Sequence, residues 1–268
     1  MIANARMYAV TPEAEVAWQE IIARVSAEVG ANLEYLAYPA PQPLEPLWRR
    51  PDLGCVFMCG YPIALQLADV IPIAAPIPDA PWAAGRAVYR SDLIVRHDAP
   101  FETLEDTFSG RVGWTVDHSH SGFNALRHHL LPYRSPERPQ VYAQATGNLV
   151  TARRILDEVL AGSIDIGPLD GYWNMLIRRW KPELTAGIRT LASTEVAPMP
   201  AFVASAGADP GLVAALRAAF AAAKDQSWFP ALAEPLLITG FQPMELADYA
   251  LTLEWDLTAK NAGYPVPA

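Results

Sequence analysis

The residues from Asp117 to Leu130, DHSHSGFNALRHHL, bring together side chains that could do chemistry. They include four of the five histidines in the 268-residue chain and two serines that flank one of those histidines. Three kinds of site use such residues. Histidines bind metal ions, a serine beside a histidine can act as a nucleophile, and serine hydroxyls beside the first amides of a helix bind anions.

The spacing of the histidines does not favour a single metal site. His118 and His120 fall on the same side of an extended segment, whereas His128 and His129 follow at least two helical turns later, about 12 Å or more away. Zinc-binding spacings such as H-E-x-x-H are absent from the sequence. A serine nucleophile would need a turn such as G-x-S-x-G and an orienting acid, and neither is recognisable. Both alternatives stay open.

A helix is predicted to begin near Ser119–Ser121. Apolar residues recur at helical spacing from Phe123 to Leu130, directly after the strand-like run RVGWTV (111–116). The amides of a first helical turn have no partner within the helix, and the helix dipole adds positive potential there. The two serines therefore either cap the helix or help to bind a phosphate, phosphonate or carboxylate.

The composition is that of a globular protein with a large core. Hydrophobic residues make up 51% of the chain and charged residues 18%, which argues against disorder. The net charge of −9 and the scattered arginines do not predict a nucleic-acid-binding surface. Cys55 and Cys59 lie in the apolar run LGCVFMCG and are interpreted as small buried residues, with a disulfide left open.

Neither a membrane span nor a targeting segment is predicted. No run approaches about 18 uninterrupted apolar residues, and the N-terminal MIANARMYAV lacks the basic and apolar regions of a signal peptide. The chain as written is therefore expected in the cytoplasm, or in the periplasm if a leader was removed.

Short apolar runs alternate with helical patterns along the chain, which is typical of an α/β fold. The order of elements is duplicated and predicts two lobes, each a mixed sheet flanked by helices. The first lobe is placed at 1–86 with 196–268, the second at 88–195, and the hinge segments near 87–96 and 194–202. A ligand is expected in the cleft between the lobes.

The predicted strands share short apolar runs bounded by proline, glycine or polar residues. They are placed at 5–10, 33–38, 53–60, 70–77, 87–96, 111–116, 139–146, 163–170, 187–194 and 200–205. Thr11 followed by Pro12 predicts the start of the first helix.

The run YRSDLIVRHDAPFETLEDTFSGRVGWTVDHSHSGFNALRHHL (89–130) resembles the second-lobe entry of the phosphonate/phosphite-type substrate-binding proteins of ABC importers. Members of that family carry a Y-x-S-x-I-V-V-R strand, an S-L-x-D-L-x-G turn and S-x-S-G at a helix start. The segment ATGNLVTARRILDEVLAGSIDIGPLDGYWNML (145–176) continues the resemblance. CGYPIAL (59–65) resembles the first-lobe ligand loop, and MPAFVAS (199–205) the return crossover.

The resemblance implies a two-lobed type II periplasmic-binding-protein-like fold of the transferrin-like superfamily. It implies binding of a small anionic or zwitterionic solute, such as a phosphonate, phosphite or phosphate, with an ABC transporter permease as partner. It implies neither an enzymatic reaction nor a cofactor. The alternative is a cytoplasmic metabolite sensor or enzyme on the same fold, using the His118/His120 pair.

The family's second-lobe binding residues map onto the helix start. Ser119, Ser121 and the backbone of Gly122 match the anion-binding turn. His120 stands where phosphonate binders usually have threonine, and Asn148 where many relatives have a serine–histidine pair. These two departures fall where selection of the solute's head group is expected.

The remaining predicted site residues each have a structural alternative. Asp170 matches the acid after a second-lobe strand, which either meets a ligand amine or caps the following helix. Tyr61 matches the wall of the first-lobe loop, and Tyr8 is expected to line the cleft; either residue could instead belong to the core. Asn124 and Arg127 are expected on the solvent side of the helix.

Overall fold

A computed structural model describes all residues from 1 to 268, which form two compact units. Unit 1 comprises Met1–Tyr89 and Pro198–Ala250, and unit 2 comprises Arg90–Ala197 and Leu251–Ala268. No helix is both long enough and apolar enough to cross a bilayer.

Residues 251–268 belong to unit 2, whereas the expected boundaries placed the whole tail in the first lobe. The tail is held there by polar contacts. Asp256 pairs with Arg127 inside the unit, and the amide of Val141 donates a 2.9 Å hydrogen bond to the carbonyl of Ala268.

The first part of the chain contains short strands around one long helix. Its elements are β1 (Ile2–Asn4), α1 (Pro12–Glu28), β2 (Glu34–Tyr35), α2 (Glu45–Trp48), β3 (Leu53–Met58), α3 (Gly60–Ala64), β4 (Val70–Pro78) and β5 (Val88–Tyr89).

The middle of the chain forms unit 2. Its elements are β6 (Ser91–Arg96), β7 (Arg111–Gly113), a π-helical turn (His120–Asn124) that runs into α4 (Ala125–Leu130), β8 (Gln144–Thr146), α5 (Ala152–Leu160), β9 (Gly167–Asp170), α6 (Gly171–Trp180), α7 (Pro182–Thr185) and β10 (Ile188–Ser193).

The last part returns to unit 1 and ends with a helix whose residues from 251 onward belong to unit 2. Its elements are β11 (Ala197–Pro198), β12 (Ala201–Ser205), α8 (Pro210–Ala222), α9 (Phe229–Ala233), β13 (Ile238–Pro243) and α10 (Ala250–Asn261).

Unit 1 is built on a six-stranded sheet in the order β13-β4-β12-β3-β1-β2. β1 runs parallel to both β2 and β3, whereas β12 and β13 pair antiparallel with their neighbours. The carboxyl ends of β2, β1 and β3 therefore meet at one edge of the sheet, where open α/β sheets bind ligands.

The strand predicted at 5–10 is wrong: β1 spans Ile2–Asn4, and Asn4 starts a turn after it. Its Oδ1 accepts a 3.1 Å hydrogen bond from the amide of Arg6, and its Nδ2 donates to the carbonyl of Leu36 at 2.8 Å. The backbone therefore leaves the strand at Asn4, and none of residues 5–10 lies in a strand. The first helix begins as predicted, with Thr11 as N-cap and Pro12 at its first position.

Aromatic side chains fill the interior of unit 1. Phe57 stacks on Phe202 with ring centroids 3.8 Å apart, and Trp18 meets Phe57 edge-on at 5.1 Å. Such pairs add about 0.5–1.5 kcal/mol each beyond the burial of their area. Cys55 and Cys59 are both buried and both free.

Unit 2 combines an antiparallel sheet, β10-β6-β9, with the parallel pair β7-β8. A parallel bridge between Val112 and Ile166 links the two. The buried residues Leu126 and Leu130 of α4 pack with Val112 and Val95 in one apolar cluster. This packing fixes the axis of the helix whose first turn is the predicted site.

Candidate functional site

The helix of unit 2 starts with a capped π-helical turn. Ser119 is the N-cap, and its Oγ accepts a 3.0 Å hydrogen bond from the amide of Gly122. The carbonyl of Ser119 accepts a 3.0 Å hydrogen bond from the amide of Asn124, five residues later. The wider turn is typical of functional sites, and the first amides of the helix have no partner within it.

Only glycine fits at position 122. An ideal β-carbon there would overlap Thr115 Oγ1 and would lie 2.9 Å from Ser119 Oγ. The amide of Thr115 also donates to the carbonyl of Gly122 at 3.2 Å. Two hydroxyl groups therefore lie close to the Gly122 backbone. The space they occupy explains why the family motif has a glycine at this position.

Thr115 is a site residue that the sequence predictions missed. Its side chain is buried, with 7% exposure, and its Oγ1 has no hydrogen-bond partner. A buried hydroxyl without a partner costs free energy that a bound oxygen atom could recover. Residue 115 was predicted within a strand, but β7 ends at Gly113 and leaves Thr115 facing the helix start.

A residue of β6 holds the backbone of Ser121 in place. Its carbonyl accepts a 2.8 Å hydrogen bond from Ser91 Oγ, and Ser91 is fully buried. The amide of Ser91 in turn donates to Thr194 Oγ1 at 2.9 Å. These bonds fix the first turn of the helix against the sheet.

His120 packs inside unit 2. Its ring stacks on Trp255 at 5.2 Å, and Asn124 Nδ2 lies 3.4 Å from its Nδ1. Burial lowers the pKa of His120 to about 3, with a further contribution from nearby His128. The ring is therefore neutral at pH 7 and brings no positive charge to an anion.

The other histidines do not complete a metal site. His118 Nδ1 lies 3.4 Å from Asp117 Oδ1, and His128 stacks on Trp255 at 4.5 Å. In the whole chain, no group of three or more His, Cys, Asp or Glu side chains is placed to hold a metal ion.

The low pKa of His120 predicts a pH-dependent stability. An unfolded histidine titrates near pH 6.5. Between pH 6.5 and about 3, His120 is therefore protonated in the unfolded chain but neutral in the folded chain. The free energy of unfolding should therefore fall as the pH is lowered through this window, by at most about 1.4 kcal/mol per pH unit from this group.

Urea unfolding at pH 7, 6 and 5 checks this expectation. His120→Gln should flatten the pH dependence above pH 5, and the exposed His97→Gln serves as the matched control. An unchanged slope in His120→Gln would contradict the assignment.

Asn124 and Arg127 are buried, which corrects the expectation that they face solvent. Arg127 pairs with Asp256 and donates to Asn124 Oδ1 at 3.0 Å. Asn124 Nδ2 donates to the carbonyl of Thr252 at 2.8 Å. The C-terminal helix α10 covers this side of the helix, and nothing in the local periodicity of residues 120–130 indicates it.

Asn148 lies in a loop that runs beside Thr115. Asn148 and Val150 both have left-handed φ angles, 57° and 64°, which is unusual for a β-branched residue such as Val150. The amide of Leu149 donates to the carbonyl of Trp114 at 3.2 Å, and that of Val150 to the carbonyl of Thr115 at 3.3 Å. The structure thus brings the Asn148 loop close to the helix start.

Asp170 caps a helix. Its Oδ1 accepts hydrogen bonds from the amides of Tyr172 and Trp173, both at 3.0 Å. Of the two roles expected for Asp170, this is the capping role. One carboxylate oxygen stabilises the start of α6.

Tyr8 and Tyr61 are both buried in unit 1. The Tyr8 ring packs edge-on against Phe57 at 5.3 Å, and its carbonyl accepts from Trp18 Nε1 at 3.2 Å. Tyr61 is in the first turn of α3, directly after β3. Both residues follow neighbouring parallel strands, and a role in binding stays a prediction for each.

The comparisons with known proteins agree with this architecture. Among solved structures, a binding-protein component of an ABC phosphonate transporter from Pseudomonas aeruginosa superposes with a TM-score of 0.78 at 14% identity, over 98% of this chain and 87% of that one. PhnD1 of Prochlorococcus marinus, solved with methylphosphonate, superposes with a TM-score of 0.75 at 14% identity, over 97% of each chain. At these identities the likeness shows the fold.

A further solved structure shares the fold. A Xanthomonas citri protein solved with ATP superposes with a TM-score of 0.67 at 17% identity, over 98% of each chain. Among curated protein sequences, none matches this chain. The profile of one family, described as the periplasmic phosphonate substrate-binding protein of ABC transporters, matches residues 9–249. That match covers most of both units, and the chain belongs to this family of periplasmic substrate-binding proteins.

Proposed function

We propose that this chain binds a small phosphonate, or a closely similar oxyanion, at the helix start of unit 2. The observation that carries the proposal is the buried hydroxyl of Thr115, which has no hydrogen-bond partner and faces the backbone of Gly122. Helix N-termini attract anions through free amides and the helix dipole. A phosphonyl oxygen near Gly122 would give the Thr115 hydroxyl an acceptor.

The chemistry of the site favours an anion bound by neutral donors. The Ser119 hydroxyl accepts from the Gly122 amide and keeps its own hydrogen for an anion, and the Thr115 hydroxyl has no partner. His120 is neutral and packed on Trp255. Hydrogen bonds to a charged group contribute about 1.5–3 kcal/mol each. A few such bonds suffice for a micromolar complex, which needs about 8 kcal/mol in total.

We further infer that the chain works in the periplasm and delivers its solute to the permease of an ABC importer. Membership of the family supports this. The related PhnD1 was solved with methylphosphonate, which makes that compound the first probe. The expectation that the solute lies between the two lobes stays a prediction.

Isothermal titration with methylphosphonate tests the proposal. Replacing both serines (Ser119→Ala with Ser121→Ala) should weaken binding at least about tenfold, because the double variant loses donors to a charged group. The melting temperature should also fall, since removal of an N-cap costs about 1 kcal/mol. The titration is therefore run well below the transition.

The matched control replaces two exposed serines of the same unit, Ser135→Ala with Ser163→Ala, and should leave the affinity unchanged. If methylphosphonate and related phosphonates bind the Ser119/Ser121 variant as tightly as the unaltered protein, the site is wrong. If no phosphonate, phosphite or phosphate binds the unaltered protein, the proposed function is wrong.

A further inference from the structure

Val150 has a strained backbone that the burial of its side chain does not explain. Its φ angle is 64°, and the residue is 43% exposed. The amide of Thr151 donates to the carbonyl of Leu149 at 2.7 Å, which closes a three-residue turn around Val150. A turn of this kind with a positive φ at its centre is rare and strained, and a β-branched side chain makes the left-handed region still less favourable.

The residues on either side of Val150 are anchored in unit 2. Leu149 packs against an apolar cluster formed by α5 and the antiparallel sheet, and its amide donates to the carbonyl of Trp114 at 3.2 Å. Thr151 is the N-cap of α5, and its Oγ1 accepts a 3.1 Å hydrogen bond from the amide of Arg154. Val150 is therefore fixed between a packed side chain and a helix cap.

The amide of Val150 holds the backbone of Thr115. It donates to the Thr115 carbonyl at 3.3 Å, and the Thr115 amide donates to the carbonyl of Gly122 at 3.2 Å. Because a β-branched side chain has few rotamers on a given backbone, these two bonds also direct the Thr115 hydroxyl. That hydroxyl is buried beside the Gly122 backbone and has no hydrogen-bond partner.

The strained turn and the unpartnered hydroxyl are thus directly bonded to one another. Strained φ angles persist where the surrounding structure fixes them, and they cluster at ligand-binding sites. A negative φ at Val150 would open the three-residue turn and move the amide that holds Thr115. A single role, which is to keep the Thr115 hydroxyl directed at a bound acceptor, accounts for both features.

We propose that Val150 is a positioning residue for the oxyanion, because its left-handed backbone holds Thr115 in the binding conformation before the solute arrives. Val150 acts through its amide and through Thr115, and its side chain does not contact the solute. This inference rests on the proposed function, since the oxyanion is assigned to the helix start of unit 2. A preorganised site of this kind binds more tightly because less has to be ordered on binding.

A double-mutant cycle with methylphosphonate tests the inference. Val150→Pro removes the amide and fixes φ at about −65°, so it should weaken binding about tenfold or more. Thr115→Val removes the hydroxyl but keeps the shape of the side chain, and should also weaken binding about tenfold. In the Thr115→Val background, Val150→Pro should weaken binding by only about threefold or less. Equal losses in the two backgrounds would overturn the inference.

Val150→Gly separates the backbone of this residue from its side chain. Glycine keeps the amide and adopts a positive φ without steric cost. This variant should therefore bind methylphosphonate at least about fivefold more tightly than Val150→Pro. If Val150→Gly binds as weakly as Val150→Pro, the valine side chain is the group that matters, and the positioning role is wrong.

Ser109→Pro is the matched control. Ser109 is exposed and has the same φ of 64°, and its amide donates to the carbonyl of Val141 at 2.8 Å. The substitution should lower the melting temperature, because it removes that bond and forbids the left-handed φ. It should leave the affinity for methylphosphonate within about twofold. A loss as large as that of Val150→Pro would make the effect one of general destabilisation and would contradict the inference.

Hydrogen exchange of the unaltered protein gives a second test, which does not depend on whether Val150→Pro folds. If the bond from the Val150 amide favours binding, then binding favours that bond by the same factor. Saturating methylphosphonate should slow exchange of the Val150 amide about fivefold or more beyond its effect on the Ser109 amide. The extra protection should disappear in Thr115→Val. Equal protection of the two amides would overturn the inference.

The outcomes separate the inference from the proposed function. If methylphosphonate, phosphite and phosphate all fail to bind the unaltered protein, the proposed function fails. If Thr115→Val binds methylphosphonate undiminished, the oxyanion does not use this hydroxyl, and the inference fails with that assignment. If Thr115→Val weakens binding but Val150→Pro does not, only the inference is overturned.

Discussion

Gly122→Ala is expected to weaken methylphosphonate binding about a hundredfold or more, which corresponds to the loss of at least one or two charge-assisted hydrogen bonds. The added β-carbon would overlap Thr115 Oγ1 and crowd Ser119 Oγ. Thr115 is buried two residues after the end of β7. The helix start must therefore shift away from both hydroxyls, and the donors around the anion separate.

The same substitution should lower the free energy of unfolding by about 1–3 kcal/mol, the usual cost of overpacking. Gly207→Ala is the matched control, because a β-carbon at that position meets nothing within 4 Å. Titration and urea unfolding of both variants check the result. Full methylphosphonate affinity in Gly122→Ala would show that the solute does not use this turn.

Asp256→Ala is expected to lower the free energy of unfolding by about 3–5 kcal/mol. It leaves the buried guanidinium of Arg127 without its carboxylate, in a place where both side chains are almost fully buried. Lys260 also pairs with Asp256, at 2.7 Å, and loses that contact. Because Arg127 holds Asn124 in the π-helical turn, methylphosphonate affinity should fall as well.

Arg153→Ala provides the comparison, since it breaks an exposed ion pair with Asp157 on α5. Exposed pairs contribute about 0–1 kcal/mol. Urea unfolding followed by fluorescence and by circular dichroism should give a much larger loss for Asp256→Ala. A loss no greater than that of Arg153→Ala would contradict a structural role for the buried pair.

The α/β class and the family were predictable because they depend on local signals. Apolar runs alternating with helical spacing predicted the class, and the Thr11–Pro12 pair predicted the start of α1, which the structure confirms. The serine-rich turn at residues 119–122 predicted a helix start, and the family match confirms the resemblance drawn from this turn together with the other quoted segments. In each case short runs of adjacent residues carry the signal.

The position of the first strand was not predictable in the same way. The run from Ala5 to Val10 has strand-like composition, yet Asn4 turns the backbone by accepting a hydrogen bond from Arg6. A side chain that bonds to its own neighbouring backbone competes with strand pairing. Asn4 is also held by a hydrogen bond from its Nδ2 to the carbonyl of Leu36, the residue after β2. The local sequence does not reveal this contact.

The surroundings of the site depend on distant parts of the chain. Asn124 and Arg127 look like polar positions one turn into a helix, but α10 covers them with Thr252 and Asp256. For the same reason the tail belongs to unit 2 rather than to the first lobe. Helical periodicity indicates which positions can be buried, not which distant element covers a polar face.

The contact between Thr115 and Gly122 was also hidden in the sequence. Six residues lie between the two in the sequence, and their approach depends on where β7 ends and how the π-helical turn begins. The predicted strand extends to residue 116, and it would have put Thr115 among the hydrogen-bonded residues of a sheet. The orphaned hydroxyl that now carries the functional proposal is visible only in three dimensions.

A crystal structure of the protein with methylphosphonate tests the central claim most directly. The account predicts a phosphonyl group at the helix start, with one oxygen within hydrogen-bonding distance of Thr115 Oγ1 and others near Ser119 and the Gly122 backbone. Methylphosphonate bound at saturating concentration but away from this turn, with Thr115 Oγ1 still lacking a partner, would contradict it.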